Sequence, residues 1–102
     1  MARLIWTEQA IADLDGIAEY ISFDNPDAAR RLVNSVSHHV DQLVKHPLSG
    51  PVVVSFPSGK YRQITERPCR IIYRYHDGQV IVLRVVRFER LLRPSLIEEP
   101  EK

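Results

Sequence analysis

The sequence predicts an α+β domain of order β-α-α-β-β-β, with a helical hairpin packed on one face of a small antiparallel sheet. Three observations predict it. Apolar residues recur at helical spacing through two segments between residues 8 and 46. Alternating, β-branched segments fill residues 60–88. Asp77-Gly78 between two of these is a strong hairpin signal, because both positions tolerate positive φ.

Residues 2–6 (Ala-Arg-Leu-Ile-Trp) read as a first strand that ends at Thr7. Thr7 suits a helix N-cap, and Glu8 places a negative charge in the first turn. Ile11, Leu14, Ile17, Ala18 and Ile21 then form one stripe on a helix. Gly16 costs roughly 1 kcal/mol against Ala in a helix interior, which marks a close helix contact. Asn25-Pro26-Asp27 restarts a helix: Asn caps, and Pro fits the first position. Ala28, Ala29, Leu32, Val33, Val36, Val40, Leu43 and Val44 give a wide stripe that contacts both helix and sheet. Lys45 and His46 are placed in its last turn, with Pro47 as the stop.

Residues 47–59 read as a Pro/Gly-rich loop with a short extended piece at Val52–Val54. Strands follow at about Lys60–Arg67, Cys69–His76 and Gln79–Phe88. Alternation assigns Cys69, Ile71, Tyr73 and Tyr75, together with Ile81, Leu83 and Val85, to the helix-facing side. Arg70, Ile72, Arg74 and His76, with Val80, Val82, Arg84 and Val86, then form an open face studded with guanidinium groups. Ile64 looks inward, so Arg62 on its side of the strand reads as structural. One domain spans residues 1–94, and residues 95–102 read as an acidic, flexible tail.

Charge is unevenly distributed. Residues 60–94 carry nine Lys/Arg against three acids, a local balance of +6, whereas the whole chain of 102 residues is +1. Such asymmetry points to an anionic partner, and the mixed apolar and guanidinium face can accept an amphipathic peptide as well as a phosphate backbone. No apolar run approaches the roughly 20 residues of a membrane span, and no signal-peptide core is evident, which points to a cytoplasmic setting. The single Cys69 excludes an internal disulfide and reads as a buried thiol. No spacing of His, Asp and Glu suggests a metal site, and no Gly-rich phosphate loop is present, so no cofactor is expected.

Several features together resemble the ParE/RelE superfamily of bacterial type II toxins. Trp6-Thr7 leads into Ala10, Asp13, Leu14, Ile17, Tyr20 and Ile21. Ala28-Ala29 opens the second helix, and Leu43 precedes Pro47 and Gly50. Tyr61-Arg62 starts a strand, Arg70-Ile71-Ile72-Tyr73 follows, and Val82–Val86 leads into an arginine-bearing tail. The resemblance covers nearly the whole chain, and the long helical hairpin leans toward the ParE side. It implies a toxin bound by a cognate antitoxin whose C-terminal segment folds on it. ParE-like members inhibit DNA gyrase, and RelE-like members cut mRNA in the ribosome. A shared fold does not choose between them.

The ParE-like reading assigns target or antitoxin binding to Tyr61, Arg70, Arg74, Arg84, Arg87 and Arg90, with Val33, Val36 and Val40 as core candidates that could also border an antitoxin groove. The ribonuclease reading assigns charge stabilisation to Arg70 and Arg90 and proton transfer to Lys60 or His76, since arginine does not exchange protons near neutrality. The chain departs from the RelE-like pattern. Tyr61-Arg62-Gln63-Ile64 has no Lys, and no Tyr follows Tyr75. It also departs from the ParE-like pattern, because Val86-Arg87-Phe88-Glu89-Arg90 lacks the His that many relatives carry there. An attenuated toxin and a plain nucleic-acid-binding module therefore stay as alternatives.

Overall fold

A computed structural model describes residues 1–97. Four strands and two helices are found among them: β1 (Arg3–Trp6), α1 (Glu8–Ser22), α2 (Pro26–Gln42), β2 (Arg62–Glu66), β3 (Cys69–His76) and β4 (Gln79–Arg87). The α+β class and the element order agree with the sequence pattern. The helices start where the caps require. Thr7 Oγ1 accepts from the Ala10 N–H at 3.1 Å, and Asn25 Oδ1 accepts from the Ala28 N–H at 3.0 Å. α2 ends earlier than Pro47. Leu43–Lys45 form a turn, so Lys45 and His46 lie beyond the helix and His39 is the basic residue of its last turn.

The sheet order is β1-β4-β3-β2. β2, β3 and β4 form an antiparallel meander, but β1 pairs parallel to β4, so the sheet is mixed. The helical hairpin carries the chain from the β1 edge toward the opposite edge. The meander then reverses twice and returns β4 to β1 in the same direction. Asp77 (φ 52°) and Gly78 (φ 72°) make the β3–β4 turn in the left-handed region, as their sequence requires.

The main core joins Ala10 and Leu14 of α1 and Val36 and Val40 of α2 to Ile71, Tyr73, Val80 and Val82 of the sheet. Each such Val, Leu or Ile side chain contributes roughly 1.5–3 kcal/mol by leaving water. Val33 is half-buried at its edge. Gly16 corrects an expectation: it is exposed, and a Cβ there would meet nothing within 4 Å, so it serves no contact between the two helices.

Two corrections concern the sheet faces. In β4, Val80, Val82 and Val85 face the helices, in place of Ile81, Leu83 and Val85. Ile72 pairs with Arg84 and Tyr73 with Val82, which leaves Leu83 as an extra residue. A bulge of this kind breaks the two-residue alternation at one point and restores it one residue later. The second face is also not open. Val53 and Phe56 of the 47–59 loop cover Ile72 and Val86, together with Leu96. Pro94–Leu96 forms a short 3-10 turn, so residues 95–97 of the expected acidic tail belong to packed structure. Residues 98–102 of that tail lie outside the described residues.

Candidate macromolecular interface

The strand arginines do not share one surface. Arg62 donates to the carbonyls of Gly50 (2.8 Å) and Leu48 (3.3 Å), so it ties the loop to β2, as its position beside Ile64 suggested. Arg70 donates from Nη2 to the Phe88 carbonyl at 2.9 Å, and its guanidinium lies 5.3 Å from the Phe88 ring centre. Arg67 stands over the same ring at 5.1 Å. Arg74 is half-buried further along β3. Tyr61 packs edge-on against Phe56 at 5.5 Å, with Lys60 Nζ 5.3 Å from its ring centre.

Arg84 is the largest surprise. Its Nε and Nη2 donate to the two carboxylate oxygens of Asp13 at 2.7 and 3.0 Å, and its Nη1 donates to the Leu96 carbonyl at 2.9 Å. Asp13 also accepts the Val85 N–H at 3.0 Å. β1 covers only Gln79–Val82 of β4, so the β4 edge beyond it is sealed by Thr7 and Asp13 of the α1 start. Arg84 therefore holds α1, β4 and the C-terminal segment together and does not stand on an open face. Arg87 pairs with Glu89 at 3.0 Å and stands 5.8 Å from the Tyr20 ring centre on the α1 side. A backbone N–H at Glu89, then Arg87, holds the Glu89 carboxyl below its ordinary range.

A groove of about 860 Å³ lies between β4 and the C-terminal segment. Ile81, Leu83, Leu91 and Ile97 supply apolar lining, while Arg90 and Arg93 stand exposed at its rim. Of the candidate binding residues only Arg84 and Arg90 line it. The sequence signal that locates it is Arg90-Leu91-Leu92-Arg93, two cations flanking two leucines immediately after the last strand. The groove matches an acidic segment with apolar anchors, by charge and by lining.

Two of the ribonuclease candidates stand far apart. Arg70 and His76 sit at opposite ends of β3, about 20 Å apart at the usual strand rise. His76 is exposed at the hairpin end, with Nε2 3.6 Å from Asp77 Oδ2. Lys60 precedes β2, and Arg90 follows β4. Among the described residues no group of three or more His, Cys, Asp or Glu is placed to hold a metal ion, and no helix is long and apolar enough to cross a membrane.

Comparison with known proteins gives a consistent result. The family described as "ParE toxin of type II toxin-antitoxin system, parDE" matches residues 4–92. The "Toxin RelE2" of Caulobacter vibrioides is 32% identical over 92 residues, which cover 89% of this chain and 100% of that protein. A solved chain of the "Chromosomal ParDE TA system from P. aeruginosa" superposes with a TM-score of 0.72 at 31% identity, covering 87% of this chain and 98% of that one.

Proposed function

Since the chain belongs to the ParE toxin family of type II toxin–antitoxin systems, we propose that it is a cytoplasmic toxin that inhibits DNA gyrase by binding and is neutralised by direct binding of a cognate antitoxin. The observation that carries this reading is the separation of a charge-stabilising candidate, Arg70, from a proton-moving one, His76. Transesterification of RNA needs a base, an acid and a charge stabiliser within hydrogen-bond reach of one phosphate. Arg70 is committed to the Phe88 carbonyl, and His76 is at the far end of its strand. The basic, apolar groove beside Arg90 and Arg93 supports recognition of a protein segment instead. The related ParDE system, whose solved chain shares the fold, supports an antitoxin as one such partner.

The test pairs two assays on the same purified protein. Gyrase supercoiling should fall as toxin is added, while labelled mRNA on translating ribosomes stays intact. Cleavage of mRNA in the ribosomal A site with normal supercoiling would overturn the reading in favour of the ribonuclease.

A further inference from the structure

β1 is an edge of the sheet, with β4 on its inner side. The Arg3 N–H donates to the Gly78 carbonyl at 2.8 Å, and the Thr7 N–H donates to the Val82 carbonyl at 3.1 Å. Arg3, Ile5 and Thr7 therefore turn their peptide groups toward β4, and the two-residue period turns those of Leu4 and Trp6 outward. Ala2 also points outward, but its N–H is engaged by the Val44 carbonyl at 3.1 Å. Short edge strands are common, and many are blunted by Lys, Pro or a bulge. Arg3–Trp6 holds no Lys and no Pro, and it pairs with β4 in unbroken register. Leu4 and Trp6 are half-buried against the main core, whereas Ile5 is 36% exposed on the opposite sheet face.

This edge is complementary to itself. An antiparallel copy centred on Ile5 sets Ile5 against Ile5, Leu4 against Trp6 and Arg3 against Thr7. The outward N–H and C=O groups of Leu4 and Trp6 then meet as hydrogen-bonded pairs, and the Ala2 bond to Val44 is left intact. A register centred on Leu4 would instead call on Ala2, whose N–H is engaged. Charge fits as well. Arg3 comes beside Glu8 of the other copy, and both are exposed with no ion-pair partner among the described residues. We propose that two copies of this chain pair β1 to β1 about a two-fold axis at Ile5, which joins their four-stranded sheets into one. The contact is small, so the dimer forms in a concentration-dependent way. The second copy also contributes to the groove beside Arg90. Thr7 and Gln9 line that groove, and Arg3 of the second copy stands opposite Thr7 on the same sheet face. The pairing rests on the backbone of β1 and holds whatever partner the groove takes.

The test is sedimentation of the full chain over a concentration series, with no target or antitoxin present, so its outcome is independent of any gyrase assay. The parent should pass from monomer to dimer. Ile5→Lys sets like charges face to face on the axis and should weaken the dimer at least about tenfold, while the thermal midpoint of dilute protein is kept. Arg3→Glu should weaken it too, and adding Glu8→Arg should restore it. Ile5→Cys gives an independent reading of the register. A pair without hydrogen bonds brings its Cα atoms to about 4.5 Å, within disulfide range. Oxidised Ile5→Cys should therefore cross-link to a dimer faster than Arg3→Cys, which stands opposite Thr7. A chain that stays monomeric at every concentration would overturn the proposal and leave the edge to a strand of another protein. A dimer indifferent to Ile5→Lys, or equal cross-linking of the two cysteine variants, would place the contact elsewhere and overturn it as well.

Discussion

Asp13 on α1 and Arg84 on β4 meet in a two-point ion pair across 71 residues of chain, with side chains only 10% and 15% exposed. The pair closes the free edge of β4 and also receives the Val85 N–H. Removing one partner leaves the other charge poorly solvated and unpaired. Asp13→Ala should therefore destabilise the fold by about 3–5 kcal/mol. Asp13→Ala with Arg84→Ala should cost less than the two single changes added together. Urea unfolding of the four proteins measures this, and strict additivity would show that the pair is not coupled.

Tyr73 is buried, receives the Gly50 N–H at 3.0 Å and donates to the Pro47 carbonyl at 2.8 Å. Tyr73→Phe leaves both groups without that partner and should cost about 1–3 kcal/mol. Gly50 has no space to grow, because a Cβ would lie 2.6 Å from the Gln63 carbonyl oxygen and 2.8 Å from Tyr73 Oη. Gly50→Ala should lose about 2 kcal/mol by overpacking against backbone. Thermal midpoints for both variants decide these points.

Burial pushes the Tyr73 phenol above its ordinary value, against the opposing pull of the Gly50 N–H and Arg62. A raised folded value means the native state resists losing this proton. The stability it contributes is complete below about pH 10 and is lost as pH rises through the folded value. The stability of Tyr73→Phe should accordingly fall less steeply with pH in that alkaline range than the parent's. Parallel slopes would show that Tyr73 does not titrate with unfolding.

Cys69 is fully buried, and that burial raises its thiol despite the lowering influence of Arg87. Only the thiolate is a good nucleophile. Iodoacetamide at pH 8 should therefore label Cys69 slowly in the native protein and at the rate of a free thiol in denaturant. Fast native labelling would place the thiol at an accessible position.

Arg90 and Arg93 stand exposed at the groove between β4 and the C-terminal segment. Arg90→Glu with Arg93→Glu should change stability by no more than about 0.5 kcal/mol. The same change should weaken gyrase inhibition or antitoxin binding by on the order of 2 kcal/mol or more, about thirtyfold. Full potency in a supercoiling assay would remove this groove from the functional surface.

Much of the local structure was legible in the sequence. Thr7 and Asn25 cap the helices because their side chains reach the first free N–H groups, which needs no distant neighbour. Asp77-Gly78 turns because those residues tolerate positive φ, and the Cys69–His76 strand bounds agree. The ordered motifs were enough to indicate the ParE/RelE superfamily, which the family match supports. Tertiary structure alone decided the rest. The bulge at Leu83 arises from pairing with β3, so alternation within β4 could not reveal that Val80 and Val82 face inward. Val53, Phe56 and Leu96 cover the second face only because distant segments close over it. Arg84 looked free because its partner Asp13 is 71 residues away. Local patterns record what a residue does to its neighbours in sequence. Whether a guanidinium group meets water, a carbonyl or a carboxylate is set by which remote segments the fold brings beside it.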